Sequence, residues 1–325
     1  MKIFRLIDAA KKSNRIVAIE DELGHRSSIS SYDVKAGELV QNGKIMSMID
    51  GVHKEFRIKI SPCGRWALLY PRYEAGQATI FDLSNGLTPF KQISCGEGHL
   101  GFGFEVIPNL YNKLEPELYS VIRSGVVANL THCKMLNSES CDGGDLYKWK
   151  ETPDICRYFL WSYNSRFFAY STDSRYKLYR IDNDSKALDL RQEISFSSGK
   201  AICSDFYSIC QGDSYFAFSE MTGPIKLYKA IKSGHFRELW AREFTVGHAV
   251  EVILSQVDNS LAETDVILTA LVYHGNDRGF TVEKYNVSGS VVESLKFPND
   301  GNPCVSMFFN FGKNLWISPS SVLSI

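Results

Sequence analysis

Histidine and cysteine are the side chains best able to hold a metal or attack a substrate, and this chain has seven of the first and eight of the second. The histidines stand at 25, 53, 99, 132, 235, 248 and 274, and no H-x-H or H-E-x-x-H motif occurs among them. The cysteines, at 63, 95, 133, 141, 156, 203, 210 and 304, contain no C-x-x-C pair and have no histidine at zinc-ligand spacing. Their apolar neighbours predict reduced, buried thiols. Asp142-Gly-Gly-Asp145 has two carboxylates that suit calcium, but a double glycine between acids reads first as a tight turn. Gly101-Phe-Gly103 lies in an apolar run with no helix after it, so it is not a phosphate cradle. No G-x-S-x-G is present. These residues predict no catalytic centre, no metal and no cofactor.

Arginine gives the one suggestive pattern. Arg26, Arg72, Arg123, Arg175 and Arg278 fall in five of the seven polar turns between second and third strands, with Tyr73 and His274 beside two of them. Guanidinium groups gathered on one end of a fold suit a carboxylate-rich or phosphorylated peptide, since each can pair bidentately with a planar anion. The same set of seven turns holds Glu22, Glu74, Asp173, Glu220 and Asp277, so local ion pairing competes with that reading.

The elements that would position these turns are short strands. Apolar runs of period two recur along the chain, while helical periodicity is nearly absent. The aromatic residues, 20 Phe, 16 Tyr and 5 Trp, suit strands better than helices. An apolar residue opens the best strand after each polar turn at Ile16, Trp66, Leu118, Phe167, Tyr215, Val266 and Leu315. The gaps are 50, 52, 49, 48, 51 and 49 residues. A third run follows each of several anchors and ends near an aromatic, at Tyr32, Phe81, Tyr179, Tyr228 and Tyr285. A fourth run completes the unit, as in 90–96, 145–151, 189–196, 238–244 and 291–297.

Repeats of four strands that cannot bury both faces alone predict radial packing of neighbouring sheets. Tyr32-Asp33 and Phe81-Asp82 stand where a Trp-Asp dipeptide would close a third strand. Gly98-His99 and Gly247-His248 stand where a Gly-His pair would precede a first strand, with Val52-His53 a partial match. On these residues the chain resembles the WD40-like β-propeller superfamily. It departs from it in having no repeat with both dipeptides. The expected fold is all-β: a seven-bladed β-propeller of four-stranded antiparallel blades, the last blade open to a three-stranded form. A single domain over 1–325 divides into blades at about 1–51, 52–98, 99–152, 153–199, 200–247, 248–302 and 303–325. A short last blade would leave an edge at Ser321, Val322, Leu323, Ser324 and Ile325 able to accept a partner's strand. A pair of β-sandwiches and a propeller outside the WD family remain open.

Charge narrows the partners. Lys and Arg number 36 against 37 Asp and Glu, a net charge of -1, so no global field favours nucleic acid. Residues 1–8 reach an acid after a few apolar residues and show no signal-peptide pattern. The longest apolar run, 266–273, is far shorter than the roughly 20 residues that span a bilayer. The expectation is a protein without a membrane span, in the cytoplasm or nucleus. What the resemblance implies is a non-catalytic scaffold or complex subunit that binds protein partners. Two alternatives remain. One is a hydrolase or lyase acting on a small polar ligand through His274, Asp277 and a ring arginine, and the other is a dedicated inhibitor of one protein.

Overall fold

A computed structural model describes residues 3–10, 13–22, 26–35, 38–47, 56–61, 63–71, 76–95, 99–104, 117–124, 127–134, 145–149, 159–162, 166–182, 184–197, 200–208, 213–256, 266–275, 279–297, 306–310, 313–317 and 322–324. Among them lie 27 strands. The first twelve are β1 (Ile3–Ala9), β2 (Arg15–Glu22), β3 (Arg26–Lys35), β4 (Glu38–Ser47), β5 (Phe56–Ile60), β6 (Trp66–Pro71), β7 (Gly76–Asp82), β8 (Thr88–Cys95), β9 (His99–Phe104), β10 (Glu117–Ser124), β11 (Val127–Lys134) and β12 (Asp145–Trp149). Next come β13 (Phe159–Trp161), β14 (Phe167–Ser171), β15 (Arg175–Asp182), β16 (Ala187–Ser195), β17 (Ala201–Ser208), β18 (Ser214–Glu220), β19 (Ile225–Ala230) and β20 (Phe236–Arg242). The rest are β21 (His248–Gln256), β22 (Val266–Tyr273), β23 (Phe280–Asn286), β24 (Val291–Phe297), β25 (Ser306–Asn310), β26 (Lys313–Ile317) and β27 (Val322–Ser324). No helix among the described residues is long and apolar enough to cross a membrane.

The structure is all-β and resembles a β-propeller, but with five four-stranded blades, not seven. In β1–β4, β5–β8, β9–β12, β17–β20 and β21–β24 every consecutive pair is antiparallel, several with a bulge that shifts the register. The strands β13–β16 do not form a separate four-stranded sheet, and only three strands follow β24. The spacing misled for a physical reason. All seven anchors do fall on every fourth strand, in β2, β6, β10, β14, β18, β22 and β26. A period of second strands, however, says nothing about where hydrogen bonding between sheets stops. Opposite β14, β13 supplies only three residues, Phe159 to Trp161.

Two compact units are present. The first holds 1–153 with 184–187 and 315–325, and the second holds 154–183 with 188–314. In the first unit β1–β4 packs on β5–β8 through a core that includes Val17, Ile19, Ile29, Ile58, Ala67, Leu69 and Phe81. In the second, one core joins β14 and β15 to β17–β20 through Phe167, Tyr176, Phe206, Phe216, Phe218 and Tyr228. Another joins β17–β20 to β21–β24 through Tyr207, Tyr215, Leu227, Val252, Leu268 and Tyr285. The third-strand aromatics Tyr32, Phe81, Tyr179, Tyr228 and Tyr285 are all buried.

Three of the second strands are buried on both faces. Every residue of β6, β14 and β18 is buried, so the apolar residues of these strands stand at adjacent positions rather than alternating ones. A carboxylate on an innermost strand then fixes the next sheet. Asp8 Oδ2 accepts from Ile60 N at 2.8 Å across 52 residues, and Asp205 Oδ2 accepts from Leu254 N at 2.9 Å across 49. The same contact thus recurs at the spacing of the repeat, once in each unit.

Phe216 lies at the centre of the larger aromatic core. It is fully buried, with its ring centroid 4.8 Å from Phe206 and 5.0 Å from Tyr176. Truncating a buried Phe costs about 3–5 kcal/mol where the cavity does not collapse. Phe216→Ala is expected to lose stability in that range, read as a lower urea midpoint with an unchanged slope.

Candidate protein-binding surface

In each four-stranded blade, the turns between second and third strands lie at one end of the sheet and the other two turns at the opposite end. The expected arginine cluster belongs to the first of these ends. Arg26 opens β3 and Arg123 is the penultimate residue of β10, each beside such a turn. Arg175 opens β15, and His274 directly follows β22. Arg72, Tyr73, Asp277 and Arg278 lie outside the described residues, as does the Gly-Gly turn at 142–144. Of the expected edge, Val322, Leu323 and Ser324 form β27, paired with Ile317, Trp316 and Leu315 of β26, while Ser321 and Ile325 lie outside the described residues.

In the second unit the polar side chains at this end are engaged with one another. Thr172 Oγ1 accepts from the backbone of Ser174 and Arg175, which shapes the turn before β15. Arg175 Nη1 donates to Glu193 Oε2 at 2.6 Å, and Lys177 Nζ lies 3.3 Å from Oε1. The hydrogen bond from Arg175, joined by the charge of Lys177, holds the Glu193 carboxyl below its ordinary range. Glu220 is fully buried and accepts from Ser197 N at 2.7 Å, from Ser197 Oγ, and from Lys226 Nζ at 2.9 Å. A buried carboxylate held by a backbone N–H, a hydroxyl and an ammonium is a structural post, not a free acid.

His274 is similarly tied. Its Nδ1 lies 3.2 Å from Val246 O and its Nε2 2.7 Å from Thr281 Oγ1. A carbonyl only accepts, so in the neutral ring Nδ1 carries the proton and Nε2 accepts from Thr281. Gly247, next to Val246, has φ +94° and sits so close to β22 that a Cβ would stand 2.2 Å from Tyr273 O. The Gly-His pair at 247–248 therefore serves a close approach of backbones. Burial pushes the Cys203 thiol up to about 12, and its sulfur lies 2.9 Å from Ser219 Oγ.

The first unit has a polar cleft of about 420 Å³ at the opposite end of its sheets, lined by Arg15, Asp33, Cys63, Gly64, Arg65 and others. Arg15 stands directly across from Asp33 and donates to it at 3.1 Å. Its Nη1 also donates to Gly64 O and Leu83 O, joining the first two sheets. Arg65 pairs with Asp82 at 3.5 Å and covers the Trp66 ring. Burial raises Asp82, but the Ser84 backbone and Arg65 outweigh it and hold the carboxyl below its usual range. The aspartates of Tyr32-Asp33 and Phe81-Asp82 thus find arginine partners inside their own blades. The residues overlooked in the sequence are those arginines. Their signal is an arginine directly before or at the anchor strand, at Arg15, Arg65 and Arg166.

The open surface of the second unit is an outer strand. In the order β21-β22-β23-β24, the inner strand β21 packs against β17, β18 and β25, and β24 is the edge. Every residue from 291 to 296 is exposed, with Val291 at 44%, Val292 at 59% and Leu295 at 37%. The outer strand β20 carries Arg237, Glu238 and Arg242 toward solvent, the charged pattern that blunts an edge, whereas β24 sets Glu293 and Lys296 among three exposed apolar residues.

No family model matches the chain, and no curated protein matches it in sequence. Solved structures resemble it in fold. Sqt1 from Chaetomium thermophilum superposes with a TM-score of 0.60 at 11% identity, covering 99% of this chain and 95% of its own. KlHsv2 with loop 6CD replaced by a Gly-Ser linker gives 0.60 at 8% identity, with 98% and 90% covered. A protein from Lactobacillus plantarum gives 0.53 at 10% identity, with 91% and 86% covered. These neighbours are propeller-like, and at such identities the likeness establishes the fold alone.

A depressed carboxyl pKa contributes stability above the unfolded value, and that contribution is lost as pH falls through the folded value. The Glu193 carboxyl is therefore expected to titrate below the free-glutamate range by NMR. In Arg175→Ala it should move up toward that range.

Proposed function

We propose that this chain is a non-catalytic protein-binding scaffold, a subunit of a cytoplasmic assembly that receives an extended segment of its partner along β24. The observation that carries this is the exposed apolar edge at Val291, Val292 and Leu295. An outer strand leaves every second backbone N–H and C=O directed away from its sheet, and these can add a strand from another chain. The register shift between Lys284 and Tyr285 puts an extra residue, Val292, into this edge. A bulge usually twists an edge away from pairing, so the strand accepted here would run beside 293–297, with Val291 and Val292 as apolar anchors at one end. The non-catalytic part of the reading is supported by His274, whose two ring nitrogens are both held by structural partners.

The test compares the intact tagged chain with Val292→Lys/Leu295→Lys after purification from its native cells. Exposed substitutions of this kind change stability by about 0.5 kcal/mol or less, so both forms should melt together. The wild type is expected to retain one protein in stoichiometric amount and the variant to lose it. A wild type that emerges alone and monomeric would remove the scaffold reading, and a partner retained equally by both would move the interface away from β24.

A further inference from the structure

At the end of the second unit opposite His274 lies a cavity of about 220 Å³, between β14–β15 and the β17–β20 blade. Its floor is the buried pair Phe167 and Ala230, and Ile231, 44% exposed, forms one wall. Three cations line it: Arg166 from the residue before β14, Arg180 from β15, and Lys232 from the turn between β19 and β20. The one acid in the lining, Asp213, is engaged by Lys229 Nζ at 3.1 Å. Neither Arg180 nor Lys232 has an ion pair among the described residues.

A fourth cation stands behind the wall. Gly234, at φ +83°, lies where a Cβ would be 3.5 Å from Arg191 Nε and 3.8 Å from Arg180 Cδ. Arg191 gives Nη2 to Asp189 at 3.3 Å, while its buried Nε–H has no hydrogen-bond partner among the described residues. Arg180 and Lys232, in no ion pair among the described residues, repel one another unless an anion joins them. The surface ion pairs at the other end of this unit show the contrast, since Arg175 and Lys177 share Glu193.

We infer that this cavity is a receptor for an oxyanion-bearing side chain of a partner protein, either a carboxylate of Asp or Glu or the phosphate of a phosphorylated residue. The size supports a side chain over a whole metabolite, because sites for small-molecule ligands run to about 300–1,000 Å³. The layering supports a peptide, because methylenes of an acidic residue would lie on Phe167 and Ile231 while its head reaches the guanidinium groups. Arginine favours this role, since its planar fork pairs with carboxylate and phosphate oxygens in two parallel hydrogen bonds. This goes beyond the scaffold reading and rests on it only for the partner being a protein.

The test is direct binding to the intact chain by fluorescence anisotropy at 50 mM NaCl. Three labelled probes are used: Gly-Leu-Glu-Glu-Leu-Gly, the same peptide with phosphoserine for the first Glu, and the same peptide with Gln for both. At least one acidic probe is expected to bind saturably, the Gln probe not at all, and Arg180→Glu/Lys232→Glu to weaken binding about tenfold or more. Raising NaCl to 300 mM should weaken it too, since exposed charges are screened. Tighter binding of the phosphoserine probe than of the Glu probe assigns the phosphate source, and equal or weaker binding assigns the carboxylate. Should the double reversal melt early, Arg180→Gln and Lys232→Gln keep the cavity's shape, and each should weaken binding about threefold or more. Absence of saturable binding by both acidic probes, or binding by the charge variants within twofold of wild type, overturns the inference. Loss of the partner in the β24 variant reads the scaffold separately, so either idea can fail without the other.

Discussion

Burial of the second strand on both faces is the constraint from which the rest of this architecture follows. A strand such as β18, with all seven residues from Ser214 to Glu220 buried, cannot exist in an isolated sheet in water. It needs a neighbouring sheet on each side, and those sheets need the same. The aromatic residues meet that demand with large side chains. Phe216 and Phe218 pack with Phe206, Tyr176 and Tyr228 at centroid distances of 4.8 to 6.5 Å, a range where tilted and edge-to-face rings attract one another. Hydrogen bonding then sets the spacing between sheets. Asp8 and Asp205 each take a backbone N–H of the next first strand, so one carboxylate per junction is enough to fix the offset.

The same constraint explains which features could be read from the sequence. A strand buried on both faces carries apolar residues at adjacent positions rather than at alternate ones, and that made the anchors at Trp66, Phe167 and Tyr215 visible at a regular spacing. The third-strand aromatics at Tyr179, Tyr228 and Tyr285 were visible because a large ring is needed where that strand meets the core. The number of blades was not visible. Sheet boundaries depend on which backbone groups lie opposite one another, and outer strands such as β12 and β16 have mixed sequences that carry no sign of where pairing ends. Tyr32-Asp33 and Phe81-Asp82 stood out as pairs, yet the partners of their acids did not. Arg15 is 18 residues from Asp33, and only the register of β2 against β3 sets them face to face.

Charge followed a comparable rule. The arginines and acids found together in the turns suggested either an anion-binding ring or local pairing, and for Arg175 the structure shows pairing, through Glu193. Glu220 and His274, the other polar groups in those turns with described partners, are absorbed into hydrogen bonds that hold the turns in place. Residues close in sequence within a turn tend to neutralise one another, because a flexible partner is always near. Arg166, Arg180 and Lys232 come from separate stretches of the chain and meet only at the cavity between β14–β15 and the β17–β20 blade. Their convergence could not be read from local composition, which is why the near-zero net charge of the whole chain concealed it.

The two proposed kinds of recognition lie at separate places on the second unit. Along β24 the unmet groups are backbone hydrogen-bond donors and acceptors flanked by valine and leucine, which any extended segment of suitable shape can satisfy. In the cavity beside Ile231 the groups are charged, with Arg180 and Lys232 in no ion pair among the described residues, and the proposed preference is for the chemistry of a single side chain. An edge strand gives affinity with little sequence preference, and a cationic pocket of about 220 Å³ gives preference with little area. A partner that used both would gain from the rigid aromatic core between them, since Phe167 in the cavity floor and the Tyr215 and Tyr285 layer under β21–β24 belong to adjoining cores of one unit. Linked sites on a rigid support bind together more tightly than either does alone when the connecting segment spans them, because the second contact is formed at high effective concentration.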